Sequence, residues 1–286
     1  ITARSILTPA TGYLPPFTHS LNPYVGCTMG CAYCYVAGSP LASQETRPWG
    51  TYFKPKVNAP EVLRRELARH PPHTLRILMS SATDPYQAAE RRLGLTREIL
   101  GVLAERPPAL LLVQTRGPLV TRDLDRLQAL GDCVRVSMTI ETNRDEVRRA
   151  VSPHASPLPA RREALLTVRA AGIRTQVAVA PLLPHDPEPF AAWLAGCAEY
   201  VVVDTFVAGD GSRGRRTARS PIPALYAGTD WGDWRAVDPA PLQRALAAHF
   251  PPDRVLWSQP GFTHFARLAA EQTATRAQQL SFADLG

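Results

Sequence analysis

No run of eighteen apolar residues occurs anywhere in this chain of 286, so no membrane-spanning helix is expected, and no secretory signal is visible in it. The first residue is Ile1 rather than Met, so a few residues are expected to precede it. Cysteine is scarce: five residues, too few for a disulfide scaffold. Cys133 and Cys197 stand alone in apolar surroundings and read as buried, inert thiols. Lysine is rarer still. Lys54 and Lys56 are the only two, so the other thirty of the 32 basic residues are arginine, the better fork for phosphate. Ala and Pro are abundant alongside Arg, a compositional bias, so the net charge of +7 and the pI of 9.5 argue only weakly for a nucleic-acid partner.

What is present is concentrated. Residues Asn22 to Tyr35 read N-P-Y-V-G-C-T-M-G-C-A-Y-C-Y and hold Cys27, Cys31 and Cys34 at C-x3-C-x2-C spacing. Three thiolates this close converge on one metal centre or stay apart as thiols; an odd cluster does not make a bridged framework. Soft sulfur ligands select iron–sulfur, zinc or copper(I). A closed zinc site wants a fourth ligand, and no Cys or His follows Cys34 at ligand spacing, while His19, eight residues before Cys27, is loosely placed. A four-iron cluster normally takes four cysteines. Held by three, it leaves one iron open to a substrate or cofactor, the mark of a chemical site. Free thiols and an oxygen-sensitive cluster imply a reducing cytoplasm.

Around this loop the chain alternates. Apolar strands are expected at Leu21–Val25, Leu75–Ser80, Leu110–Thr115, Cys133–Ile140, Ile173–Ala180 and Tyr200–Phe206. Helices are expected from an Asn58 cap with Glu61 as its capping-box partner, over Ala88–Arg106, from Thr121 to Leu130, and over Asp145–Ala150, Ala160–Ala171 and Pro189–Ala198. Continuous apolar strands with crossover helices make a parallel sheet buried on both faces, curled into a barrel or left open. Residues 1–20 read as an extended arm, 21–206 as the core, and 207–286 as a basic loop and a small C-terminal cap. The cap would hold a helix at Pro241–His249, a strand at Val255–Trp257 and a helix from Phe265 to about Gln279. Residues 36–57, with Trp49, Tyr52 and Phe53, read as a lid over the metal loop.

In a parallel barrel the chemistry lies at the C-terminal strand ends. Those ends carry Ser80, Ser81, Thr83 and Asp84, then Gln114, Thr115 and Arg116, then Ser137, Thr139, Glu141 and Thr142, and last Asp204 and Thr205. Hydroxyls and a carboxylate suit an ammonium and a ribose, and Arg116 suits a carboxylate as a bidentate fork. Thr121 and Thr142 read equally as helix caps. His154, His185 and His264 are lone histidines that read as surface or satisfied groups, and Trp231 and Trp234 as packing, with base stacking the alternative.

The C-x3-C-x-Y-C signature, with Tyr33 before the last cysteine, resembles that of the radical S-adenosylmethionine (SAM) superfamily. L-N-P-Y-V-G-C, K-V-N-A-P-E-V-L and T-D-P-Y-Q at Thr83–Gln87 are similar to the branch related to spore photoproduct lyase, over roughly Leu21 to Phe206. The resemblance implies a partial (β/α)6 barrel, a [4Fe–4S] cluster on Cys27, Cys31 and Cys34, and SAM on the open iron, split after one-electron reduction to start hydrogen-atom abstraction. It implies SAM contacts at Thr83, Arg116 and Ser137, with Tyr33, Asp84 and Glu141 as further cofactor-binding candidates. Tyr35 matches a tyrosine of the lyase's hydrogen relay. Ser81 stands where the lyase carries a hydrogen-donating cysteine, and the far stronger serine O–H bond does not replace it. A reductase such as flavodoxin or ferredoxin is implied as electron donor. The branch resemblance and the four arginines of the Arg213–Arg219 loop, which reads otherwise as a solvated or disordered loop, point to nucleic acid or a nucleotide as substrate; a small metabolite, a peptide, or a non-catalytic metal-binding module remain as alternatives.

Overall fold

The structure is a computed structural model that describes residues 1–283. Its strands are, in chain order, β1 Leu7–Pro9, β2 His19–Leu21, β3 Tyr24–Val25, β4 Lys54–Pro55, β5 Arg76–Met79, β6 Leu110–Thr115, β7 Val134–Thr139, β8 Arg174–Val179, β9 Val201–Val203 and β10 Val255–Trp257. Eight of them form one sheet in the order β1-β2-β5-β6-β7-β8-β9-β10, and β3 pairs with β4 in a separate antiparallel ribbon. Only β1 runs antiparallel in the large sheet; from β2 to β10 every pairing is parallel. This is the α/β partial barrel that the family resemblance implies, where the strand–helix alternation alone allowed either a barrel or an open sheet.

The helices that matter for the site are α1 Ala59–Leu67, α2 Leu95–Glu105, α3 Leu124–Ala129, α4 Asp145–Val151, α5 Leu158–Ala170, α6 Pro187–Ala195, α7 Ile222–Ala227, α8 Ala240–Ala247 and α9 His264–Ala283. Strand residues alternate between two faces. Ile77, Met79, Leu111, Val113, Val136, Val177 and Val201 point outward into one core with Leu63, Ile99, Leu165 and Leu194 of the surrounding helices. Leu78, Leu110 and Leu112 point inward and pack with Phe17, Ala266 and Ala269, so α9 fills the lower end of the barrel. Arg135, inward on β7, lies over the Phe265 ring at 3.7 Å and the Tyr200 ring at 5.0 Å, and donates to the Thr175 carbonyl at 2.8 Å.

Several elements depart from the sequence expectation. The first strand is β2, ending at Leu21 rather than running to Val25. Pro23 lacks the N–H needed to continue the ladder, and Tyr24–Val25 pair instead with Lys54–Pro55. The helix expected over 88–106 is two pieces, the turn Glu90–Leu93 and α2, separated by Gly94 at φ 63°, in the left-handed region that ends helices. Asn58 does not cap α1. Its amide pairs with both backbone groups of Ala3, at 2.7 and 2.9 Å, while Glu66 accepts the Leu7 N–H at 2.8 Å, so α1 fastens the arm. Thr121 lies in a 3-10 turn and bonds to the Pro118 carbonyl; α3 begins three residues later at Leu124. The expected cap contributes β10, a seventh parallel strand beside β9.

Across the seam between the sheet's two edges, the Tyr13 hydroxyl donates to Asp204 Oδ2 at 2.8 Å and Gln259 donates to the Tyr13 carbonyl at 2.8 Å. The basic loop past β9 is ordered around one carboxylate: Asp210 accepts the N–H groups of Ser212, Gly214, Arg216 and Thr217. Trp234 is buried edge-to-face with Phe206, and Trp231 packs against Tyr226. Both tryptophans therefore serve packing.

Candidate cluster and cofactor site

The metal loop leaves the sheet at Asn22, whose side chain accepts the Ala82 N–H at 2.8 Å and donates to Ser81 Oγ at 3.2 Å. The loop is then gripped from below. Thr83 Oγ1 donates to the Gly26 carbonyl at 2.6 Å, and the fully buried Gln87 accepts from both the amide and the hydroxyl of Thr28. Residues 49–52 close over it as the lid reading expected. Gly30 and Gly50, both at positive φ, stand back to back, and a Cβ on Gly50 would lie 2.8 Å from the Gly30 Cα. Only glycine permits that approach. Trp49 and Ala155 complete an apolar shell around the cysteines.

Cys27 and Cys31 are buried, Cys34 is half-buried, and all are free thiols. Burial pushes the Cys27 thiol well above its ordinary value, with Asp84, Cys31 and Cys34 adding to the effect. Burial and Cys31 raise Cys34 to about 11, against the opposing charge of Arg116. The three sulfurs thus lie within one another's electrostatic reach, and Arg116 lies within that of Cys31 and Cys34. Among the described residues no three His, Cys, Asp or Glu stand close enough to share a single ion. Three thiols gathered in one buried shell fit a multi-iron cluster, in which each sulfur takes a different iron.

Beside the sulfurs sits an ionic knot. Arg116 donates to Glu141 Oε1 at 3.0 Å and to the Tyr33 hydroxyl at 2.8 Å, and Tyr33 donates in turn to Glu141. Arg161, wholly buried, reaches Glu141 Oε2 at 2.8 Å. Burial alone would raise the Glu141 carboxyl, but the charges of Arg161 and Arg116, with the hydrogen bonds of Tyr33 and Arg116, hold it down to about 2. It is therefore a carboxylate at neutral pH.

Below the knot the inward positions of three adjacent strands are polar. Gln114, Ser137 and Gln176 are cross-strand neighbours. Gln114 donates to Thr139 Oγ1 at 2.6 Å and Gln176 to Ser137 Oγ at 2.9 Å. The carbonyl oxygens of both glutamines, the Ser80 hydroxyl and one guanidinium nitrogen of Arg161 are buried without a partner. Ser80 is also held at φ 74°, uncommon for a residue with a side chain. Such buried polar atoms, each costing on the order of 1–3 kcal/mol, are what a polar ligand would complement.

The structure thus brings Tyr33, Arg116 and Glu141 together beside the cysteines. The Tyr35 hydroxyl reaches the Ser81 carbonyl. Asp84, buried, accepts from Thr115 Oγ1 at 2.7 Å and the Arg116 N–H at 2.8 Å, and so braces two strand ends; Thr83 braces the metal loop. Ser137 lies deeper, in the polar tier. Arg161, Gln87 and Gln176 were not singled out by sequence reasoning. Gln87 closes the T-D-P-Y-Q motif, and Arg161 occupies the apolar stripe of α5 with Leu158, Leu165 and Val168; Gln176 left no signal.

A mostly parallel partial barrel with a three-cysteine loop after its first parallel strand defines the class. The Radical SAM superfamily model matches residues 21–193, and the chain belongs to that superfamily. An uncharacterised protein of Mycobacterium tuberculosis is 35% identical over 175 residues, 59% of this chain and 51% of that protein. One from Methanocaldococcus jannaschii is 28% identical over 171 residues, 60% of this chain and 62% of that one. The chain thus spans about half the length of the mycobacterial relative. Spore photoproduct lyase complexed with dinucleoside spore photoproduct has the same fold, at TM-score 0.63 and 16% identity over 90% of this chain and 80% of that one.

Proposed function

We propose that this chain holds a [4Fe–4S] cluster on Cys27, Cys31 and Cys34, binds SAM at the open iron against Tyr33, Arg116, Glu141 and the polar tier, and acts on a nucleotide or nucleic acid. The cluster, when bound, supplies the electron that splits the sulfonium. The protein's part is to hold and orient. Arg116 offers a fork to the SAM carboxylate, and Glu141, kept ionised, offers an acceptor to an ammonium or ribose hydroxyl. Trp49 and the lid keep water from the sulfurs.

The observation that carries this reading is the convergence of three free thiols with the Tyr33–Arg116–Glu141 knot at the carboxyl ends of parallel strands. Anaerobic reconstitution tests it: about four irons per chain and 5′-deoxyadenosine on reduction with SAM are expected. One tightly held zinc and no SAM cleavage would replace the enzyme with a metal-stabilised module.

The substrate part rests on a second feature. Arg213, Arg215, Arg216 and Arg219 ride on the Asp210-ordered loop just past β9. The lyase of the same fold carries a dinucleoside. Binding of DNA and RNA measured across salt should follow a steep slope from phosphate contacts; a flat response removes nucleic acid and leaves a small metabolite or peptide. Among the described residues no helix is long and apolar enough to cross a membrane, and a cytoplasmic setting with a flavodoxin- or ferredoxin-type donor suits the cluster.

A further inference from the structure

Against the cysteine loop a hollow of about 530 Å³ is lined by Thr28, Met29, Gly50, Tyr86, Arg91 and His154, among others. Met29 belongs to both sides: it packs with Cys27 and Cys31 and also walls the hollow. The His154 ring abuts the next residue, Gly30. The wall between this hollow and the thiols is therefore one stretch of chain thick. Arg91 and His154 are exposed on its rim, and no carboxylate lines it. On the cluster reading SAM takes the open iron, so the electron would enter through the protein that surrounds the sulfurs.

Resting on the cluster reading above, we propose that this hollow is the docking site of a small acidic one-electron carrier protein, with Arg91 and His154 as its positive rim and the Thr28–Met29 segment as the route inward. The reduced carrier loses one electron, the cluster gains it, and no proton or atom changes hands. An acidic protein complements a rim that is positive or neutral throughout, and contacts of this kind act chiefly through steering and salt-sensitive affinity.

The test uses the full chain, reconstituted and as apoprotein, with oxidised flavodoxin and a ferredoxin as probes. Because protein alone builds the hollow, affinity measured by calorimetry reads it in both forms. Wild type should bind one carrier at low salt and lose affinity as salt rises. Arg91→Glu should weaken binding by about tenfold, and Arg91→Glu with His154→Glu further still. Dithionite-driven 5′-deoxyadenosine formation should stay at the wild-type rate in both variants, which also reports that they fold. Unchanged carrier affinity in the double variant, or no carrier binding by wild type at low salt, overturns the docking site while the cluster reading stands. Absence of dithionite-driven SAM cleavage in wild type fails the cluster reading and the docking site with it.

Discussion

At the lower end of the sheet's inner face, Leu78, Leu110 and Leu112 lock against Phe17 and α9; two residues further along β6 the inward position is Gln114, level with Ser137 and Gln176. The strands, the register and the facing direction are the same, so the contrast is one of purpose. Below, the three leucines have apolar partners, and Arg135 lies over the Phe265 ring with Tyr200 beside it. Above, amide carbonyls, a hydroxyl and a guanidinium nitrogen are shut away from water with nothing to bond. A chain accepts such local cost where a ligand relieves it, and it draws the needed stability from elsewhere.

Four substitutions test that division, the most severe first. Cys31→Ala should abolish cluster loading and drop SAM cleavage to background, measured as iron content and 5′-deoxyadenosine. Because burial raises the apo thiols, loading releases protons, so cluster assembly should strengthen as pH rises. Glu141→Ala should cost about 3–5 kcal/mol in urea unfolding, because it strands Arg161 and Arg116 without their counter-charge. The Glu141 carboxyl lies below its ordinary 4.5 in the fold, at about 2. Its contribution is therefore whole above 4.5 and is lost as pH falls toward 2, and acid unfolding of the variant should lack that component.

Leu112→Ala, at the lower end, should cost about 2–5 kcal/mol while leaving SAM cleavage per folded molecule unchanged. Gln176→Leu, one tier up, removes a buried unpaired oxygen but also the bond to Ser137 Oγ; the two effects oppose each other, so its unfolding free energy should move by about 1 kcal/mol while SAM affinity falls. If Gln176→Leu instead destabilises as Leu112→Ala does and binds SAM normally, the upper tier is ordinary core and the contrast collapses.

What could be read from residue order alone follows the reach of each interaction. The cysteine loop was legible because its three thiols lie within eight residues and their spacing needs no fold to be recognised. Strands such as Leu110–Val113 announced themselves by continuous apolar side chains. The strand ends Arg116 and Glu141 were legible because a parallel sheet fixes where its chemistry gathers. Asn58 was misread because its partner is Ala3, more than fifty residues away, not the adjacent helix. Placing Val255–Trp257 beside β9 required knowing how the chain returns after the basic loop. Gln176 looks like any polar residue in a strand until Ser137 stands opposite it. Arg161 was the informative exception, a cation where the helix pattern called for an aliphatic residue.

The plug formed by α9 has one more consequence. The floor is closed by Phe17 and Ala266 and the side seam is latched by Tyr13 and Gln259, so the polar tier is shut off on those two sides. With SAM in the polar tier as proposed, any substrate at the strand ends would stack above it, and the deeper molecule would be first in and last out.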